Sequence, residues 1–179
     1  KPSFLPEEFY WIIGVTYKGF PEVETEVRNT FSSNLSFDKE MFQQLGGFRT
    51  DMGKQGDNNL QGGETELCER LYEETGERVV YTPDAKVAHK IFDYRTNPTW
   101  LAKRAFWQGY SKRAMEDTSP SSGSEERAFL DDLLTEFVPS RISSLFDSPS
   151  ATALAQLLML FVLTGCVGCG YLYGFVNYR

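Results

Sequence analysis

One long stretch without charge dominates the sequence. No charged residue lies between Ser148 and Tyr178, and residues 151–176 are almost wholly apolar. A helix needs about 20 apolar residues to cross the hydrocarbon core of a bilayer, so this stretch is long enough for one span. The tyrosines and the basic residue near its end resemble the interfacial belt of such spans. The sequence therefore predicts a C-terminal transmembrane segment at 151–176. A buried or re-entrant hairpin is the alternative, because several glycines weaken a straight helix.

The composition is that of an acidic globular protein. The 179 residues are 41% hydrophobic, which is enough for one domain with a core and an appendage. A formal net charge of -7 argues against a nucleic-acid binder, because such proteins present basic surfaces. The three cysteines do not form a secreted disulfide framework, so we expect a reducing compartment. The chain starts at Lys1 without a signal segment, so we expect it to be the later part of a longer protein.

Two acids follow a glycine pair in the segment Gly62-Gly63-Glu64-Thr65-Glu66. Glycine lets the backbone turn sharply and pass close to a ligand, so Glu64 can project from the mouth of a helix. A carboxylate in that place can act as a general base. The alternative is that both acids are solvated side chains in a first helical turn, where the helix dipole favours negative charge.

The remaining patterns predict alternating strands and helices before residue 117. Strands are predicted at 10–16, 30–37, 78–82 and 86–91, and helices at 38–45, 65–75 and 98–115. Residues 117–125 are rich in serine and predict a flexible linker. Residues 126–147 carry apolar side chains at helical spacing opposite acids, which indicates amphipathic juxtamembrane helices. Such helices either lie on a membrane surface or pack on the domain core.

Four segments occur in the order and spacing of a known enzyme family. They are Asn34-Leu35-Ser36-Phe37 with Gly46-Gly47-Phe48, Gly62-Gly63-Glu64-Thr65-Glu66-Leu67, residues 81–89 ending in His89, and Phe106-Trp107-Gln108-Gly109-Tyr110-Ser111-Lys112. Together they resemble the second half of a family 2 glycosyltransferase of the GT-A fold, and the match covers most of the chain. Residues 11–21 and the apolar tail look most like haloarchaeal members that act on dolichyl phosphate-linked glucose.

The resemblance implies an α/β fold, with residues 1–116 as the acceptor-side, C-terminal half of a GT-A nucleotide-diphospho-sugar transferase domain. It implies an inverting transfer of a sugar, glucuronic acid in the members most like this chain, from a UDP-sugar to a dolichyl phosphate-linked glycan. The catalytic part would face the cytoplasm at the cell membrane. Glu64 would take the proton of the acceptor hydroxyl, and Glu66 is the alternative base if the register slips.

The same resemblance assigns the other site residues. His89 would lie at a Mg²⁺ or Mn²⁺ ion that stabilises the leaving diphosphate. Asn34, Arg104, Trp107 and Lys112 would bind substrate, since arginine suits bidentate phosphate contacts. From the residues alone, a single histidine is as well explained as a structural side chain, and tryptophans on a helix as core anchors.

The chain departs from the family pattern in two places. Gly63 stands where an acid is usual and Glu64 where aspartate is usual, and the donor-binding half with its Asp-x-Asp motif is absent from the sequence. A second interpretation therefore stays open. The chain could be a non-catalytic, membrane-tethered module that binds a glycolipid or pairs with another subunit.

Overall fold

The computed structural model describes residues 1–50, 54–55, 58–116 and 123–177. The chain forms two compact units. The first, called the helical unit here, comprises Lys1–Gly19 and Ile91–Arg179, and the second, the corner unit, comprises Phe20–Lys90. The α-helices are α1 Lys39–Gln44, α2 Gly63–Thr75, α3 Pro98–Glu116, α4 Gly123–Asp132, α5 Val138–Asp147 and α6 Ala151–Asn177. The strands are β1 Thr25–Val27, β2 Lys54–Gln55, β3 Asn58–Asn59 and β4 Val79–Tyr81, and 3₁₀ helices span Glu7–Ile13, Ser32–Asn34 and Asp93–Thr96.

The corner unit is built around α1 and α2. The Asp38 carboxylate caps α1 by accepting hydrogen bonds from the backbone N–H groups of Glu40 at 2.9 Å and Met41 at 3.0 Å. Leu45, Leu67 and Leu71 are buried between the two helices, with Phe37, Met41 and Phe42 packed against them. β1 pairs with β4 in an antiparallel register that sets Glu26 opposite Val80.

Glycines define both ends of α2. Gly62 precedes the helix with φ 100°, and Gly76 follows it with φ 75°. Both values lie in the left-handed region, which glycine enters without the steric cost that a Cβ imposes. The helix predicted from the glycine corner to Gly76 is thereby confirmed.

In the helical unit, α3 and α6 pack with their backbones in contact. A Cβ atom at Gly109 would overlap the backbone of Val167, and one at Gly170 would overlap the backbone of Phe106. At Gly174 it would come within 2.9 Å of the Arg113 side chain. This approach of the two helices requires glycine at Gly109 on α3 and at Gly170 on the apolar segment.

α6 is one uninterrupted helix of 27 residues with a mean hydropathy of 2.0 in its most apolar window, so it is long and apolar enough to cross a membrane. The predicted apolar helix is confirmed, and the alternative of a hairpin is wrong. Two glycines of α6, Gly170 and Gly174, serve the contact with α3.

Residues 123–147 form continuous helix with a π-helical turn at Leu133–Phe137 between α4 and α5. Pro139 explains the turn. Proline has no N–H, and its ring clashes with the carbonyl of the residue four positions earlier, here Thr135. The Val138 N–H instead donates to the Leu133 carbonyl, which is the wider spacing of a π turn. Leu133 and Phe137 are buried in the core of the helical unit, so this turn packs on the protein.

A buried carboxylate ties three elements of the helical unit together. Glu8 is fully buried, and both its oxygens accept hydrogen bonds from Arg141, at 3.1 and 2.8 Å. Lys18 lies 3.8 Å from the same carboxylate. Arg141 also donates to Gln156 on α6, and the Gln156 amide donates to the Ser3 carbonyl at 2.7 Å. The start of the chain, α5 and α6 are therefore joined by one polar network.

Several predicted elements differ from the structure. Residues 10–16 were expected as a strand, but Glu7–Ile13 is a 3₁₀ helix that begins after Pro6 and buries Phe9, Ile12 and Ile13. Residues 30–37 contain only the 3₁₀ turn Ser32–Asn34, and 86–91 has no regular structure. Short apolar runs do not distinguish strand from buried helix, which explains the first error.

The predicted α/β class is confirmed only in its helical component. The described residues are mostly helical, and the two sheets among them are two-stranded and antiparallel, so the half of a GT-A fold is not evident in them. Of the predicted linker, residues 117–122 lie outside the described part, whereas 123–125 belong to α4. The predicted domain at 1–116 corresponds to parts of both units.

Candidate functional site

Glu64 lies in the first turn of α2, directly after the glycine corner. Its side chain is partly exposed, and among the described residues no hydrogen bond or ion pair engages its carboxylate. The N–H groups of a first turn have no partner within the helix, and the helix dipole stabilises negative charge there. The structure thus presents the Glu64 carboxylate at the mouth of a helix, next to the glycine corner.

Glu66 is in a different environment two residues on. It is 7% exposed, and its two oxygens accept hydrogen bonds from Arg70 Nε at 3.1 Å and Arg70 Nη2 at 2.7 Å. This is the parallel, bidentate geometry in which a guanidinium holds a carboxylate most tightly. Glu66 is engaged within the helix, whereas Glu64 is available to a ligand.

Arg70 also connects α2 to the end of α1. Its Nη1 donates to the Leu45 carbonyl, and its Nη2 donates to the Gly47 carbonyl at 3.0 Å. The last carbonyls of a helix lack intrahelical partners and carry the negative end of the dipole, so a guanidinium satisfies both needs. The Glu66–Arg70 pair therefore fixes the glycine pair after α1 relative to the glycine corner before α2.

A second ion pair holds α2 from another side. Arg28 Nε lies 3.5 Å from Glu69 Oε1, and the two side chains are only 10% and 5% exposed. Cys68 is buried beside them. Burial raises the pKa of its thiol to about 12, and the negative charges of Glu64 and Glu69 add to the effect. Cys68 is therefore a neutral packing residue and not a nucleophile.

His89 and Asn34 also lie in the corner unit. The Asn34 amide donates to the Ala85 carbonyl at 2.6 Å and so fastens the segment that leads to His89. His89 is partly buried, and its Nε2 has no hydrogen-bond partner among the described residues. That atom is a candidate ligand, but the described residues contain no group of three or more histidines, cysteines and acids that could hold a metal. His89 alone does not make a metal centre.

The other predicted site residues lie on α3 in the helical unit. Arg104 is exposed and Lys112 is partly buried. Trp107 is partly buried in an aromatic group, with its ring 5.8 Å from that of Phe106 and 5.3 Å from that of Tyr110. The predicted face of α3 is thus partly a packing surface. The structure brings Asn34, Glu64, Glu66 and His89 into one unit and Arg104, Trp107 and Lys112 into the other.

The sequence interpretation missed Arg70 and Arg28, which position α2. A signal for Arg70 was present, because Glu66 and Arg70 are four residues apart on a helix and such pairs face each other. Arg28 gave no local signal, since its partner Glu69 is distant in the chain.

Comparison with known proteins identifies a relative. Over 177 residues the chain is 47% identical to the glucosyl-dolichyl phosphate glucuronosyltransferase of Haloferax volcanii, an alignment that covers 99% of this chain. The chain is a homologue of that transferase. It spans 56% of the relative's length, in its C-terminal part. No protein-family model and no solved structure matches the chain. The resemblance predicted from the four motifs is confirmed by this homologue.

Proposed function

We propose that the chain is the acceptor-side part of a membrane-associated, inverting glycosyltransferase of the GT-A type. It would transfer glucuronic acid from a UDP-sugar to a glucose carried on dolichyl phosphate. The observation that carries the proposal is the 47% identity to a transferase whose name states this acceptor and this sugar. The cell membrane, with the catalytic part on the cytoplasmic side, is the proposed location, and α6 is the proposed membrane-binding element.

Glu64 is the proposed general base. An acceptor hydroxyl is a poor nucleophile at neutral pH, so its proton must pass to a carboxylate as its oxygen bonds to the anomeric carbon. In the same step the bond from that carbon to the diphosphate breaks, which inverts the configuration. Glu64 suits this role because its carboxylate is not engaged by the described residues, while Glu66 is held by Arg70.

A divalent cation, Mg²⁺ or Mn²⁺, belongs to the proposal for the longer enzyme. When bound, such an ion supplies Lewis-acid stabilisation to the leaving diphosphate. His89 Nε2 would be one ligand, because it is buried without a hydrogen-bond partner among the described residues. The other ligands would have to come from outside those residues.

Arg104, Trp107 and Lys112 are proposed to bind substrate from α3. A guanidinium and an ammonium offer charge-assisted hydrogen bonds to a diphosphate or to the phosphate of the lipid acceptor. An indole ring offers a stacking surface to a sugar or base. Asn34 is proposed to act by holding the His89 segment, in keeping with its bond to Ala85.

The direct test uses the full-length protein with UDP-glucuronic acid and glucosyl-dolichyl phosphate. Glu64→Gln should lower kcat by about 10²–10⁴-fold, the usual contribution of a general base, with unchanged thermal unfolding. Glu74→Gln is the matched control, because Glu74 is exposed on the same helix, and it should retain full activity. Transfer by Glu64→Gln at the wild-type rate would remove Glu64 from the role of base.

The alternative is a non-catalytic, membrane-tethered module that binds a glycolipid, and it rests on the long apolar helix α6. It predicts that the full-length protein binds glucosyl-dolichyl phosphate but forms no product with any UDP-sugar. Product formation that depends on Glu64 would exclude it.

A further inference from the structure

α6 has protein packed along one face for its whole length. Near its start, Gln156 is bound by Ser3 and Arg141. Further along, Leu160 and Leu163 are fully buried in the core of the helical unit, together with Leu101 of α3. The first half of α6 is therefore part of the folded unit and does not emerge from it.

α3 packs on the second half of α6. It comes close enough there that Gly170 and Gly174 have no room for a Cβ atom. The Tyr171 hydroxyl donates to the Glu116 carboxylate at 2.8 Å, and the Arg113 guanidinium lies 4.5 Å from the centre of the Phe175 ring. The contact between the two helices therefore continues almost to the end of α6.

The elements that cover α6 are charged. α3 carries Lys103, Arg104, Lys112, Arg113 and Glu116, and the segments near the start of α6 carry Glu8 and Arg141. If α6 crossed a bilayer in this arrangement, these side chains would have to enter the hydrocarbon with it. Charged side chains at the bilayer centre are costly, so the packing of α6 is incompatible with a lone perpendicular span.

The opposite face of α6 is apolar and exposed. Its large exposed side chains recur at helical spacing as a stripe along the helix: Leu154, Leu158, Phe161, Val162, Leu172 and Val176. Tyr173 and Phe175 lie at the edge of this stripe, where their rings also contact α3. No charged residue lies in α6, and Gly165, Gly168 and Cys169 continue the stripe between its two halves. An apolar face of this length, with charged elements behind it, matches the boundary between lipid headgroups and acyl chains.

We infer that α6 lies in the plane of the membrane as a monotopic helix, with its exposed stripe in the outer hydrocarbon and α3 on the side of the headgroups. This rests on the membrane association in the proposed function and replaces the single span expected from the sequence. The lipid bilayer covers the exposed side chains of the stripe. Both ends of α6 then lie on the same side of the membrane, and α3 is held at the surface where a dolichyl phosphate headgroup is found.

Labelling of the two ends of α6 tests this arrangement. In the full-length protein with its native cysteines replaced by serine, Ser150→Cys and Asn177→Cys are introduced singly. Both positions are exposed and flank the apolar stripe. Ala128→Cys, exposed on α4, is the reference for the side occupied by the helical unit. A membrane-impermeant maleimide is then added to sealed inverted vesicles and to sealed right-side-out vesicles.

The monotopic arrangement predicts equal labelling of all three positions in one vesicle orientation and none in the other until detergent is added. A span predicts that Asn177→Cys reacts in the orientation in which Ser150→Cys and Ala128→Cys do not. That result would overturn the inference, and so would recovery of the protein in the soluble fraction without detergent.

Two charged variants of the stripe test its role in membrane binding, and their enzymatic activity shows whether they fold. Leu158→Glu and Leu172→Glu place charge on the stripe and should lower partitioning into phosphatidylglycerol vesicles at least 10-fold. Leu130→Glu, at an exposed apolar position of α4 outside the stripe, should not. Transfer to a detergent-dissolved acceptor is measured in parallel. Retained transfer with lost partitioning confirms the role of the stripe, whereas unchanged partitioning overturns it. A failure of transfer in the unmodified protein would instead count against the proposed function.

Discussion

At the scale of single residues, two neighbouring acids of the corner unit lie in different environments. Glu64 and Glu66 are equivalent candidates in the sequence, but only Glu66 is bound by Arg70. Glu66 therefore positions α2, and Glu64 remains the proposed base.

The Glu66–Arg70 pair can be tested by a double-mutant cycle. Glu66→Gln and Arg70→Gln should each lower the free energy of unfolding by roughly 3 kcal/mol, because each leaves a largely buried partner without its counter-charge. The double variant should lose less than the sum, since both changes remove the same interaction. Denaturant unfolding measures the three values. Loss of transfer in Glu66→Gln without any loss of stability would identify Glu66 as the base instead.

Cys68 gives a prediction about pH. Since burial and two nearby carboxylates raise its pKa to about 12, the thiol stays protonated at pH 7–9 and should not react with iodoacetamide in the folded protein. A raised pKa stabilises the fold below the ordinary thiol pKa of about 8.5–9, and this contribution is lost as the pH rises towards 12. Mass spectrometry of the alkylated protein measures the reaction. The same protein unfolded in denaturant, in which the Cys68 thiol should react, is the reference.

At the scale of elements, glycines on α6 divide into two classes. At Gly170, the backbone of Phe106 occupies the space that a Cβ atom would need. A Cβ atom at Gly168 would meet nothing within 4 Å. Gly170→Ala should lower stability by roughly 1–3 kcal/mol or more, because α3 and α6 must move apart. Gly168→Ala should be neutral or stabilising by up to about 1 kcal/mol, because alanine favours the helix. Thermal unfolding in detergent compares them, and equal effects would contradict the observed contact.

Local signals predicted the helices and their ends well. Asp38, Gly62 and Gly76 determine helix boundaries through contacts within a few residues, so their effect can be deduced from the sequence. The 3₁₀ helix Glu7–Ile13 could not be predicted in this way. Its conformation depends on burying Phe9 and on pairing Glu8 with Arg141, and Arg141 is far away in the chain. The same holds for Arg28, which reaches Glu69 only in the folded unit.

At the scale of the whole molecule, the Glu8–Arg141 pair joins the beginning of the chain to the last helices. Arg141→Met should lower the free energy of unfolding by about 3–5 kcal/mol, because Glu8 would remain buried without its bidentate partner. Changing both residues, Glu8→Gln with Arg141→Met, should restore most of the loss. Arg127→Met, at an exposed position, is the control. Denaturant unfolding and limited proteolysis give the measurement, and equal stability of Arg141→Met and the control would refute this role.

The π turn at Leu133–Phe137 has a consequence for how this chain tolerates change in length. A π turn holds one residue more than the α-helix around it, so it acts as a built-in insertion. Deleting Thr135 should therefore remove the extra residue and leave α4 and α5 in nearly the same rotation, with Arg141 still facing Glu8. Deleting Ser140, which lies in regular helix, would instead rotate the rest of α5 by roughly 100° and turn Arg141 away from Glu8. A chain shortened by one residue should thus keep the ion pair when the loss falls in the π turn and lose it when the loss falls five residues later.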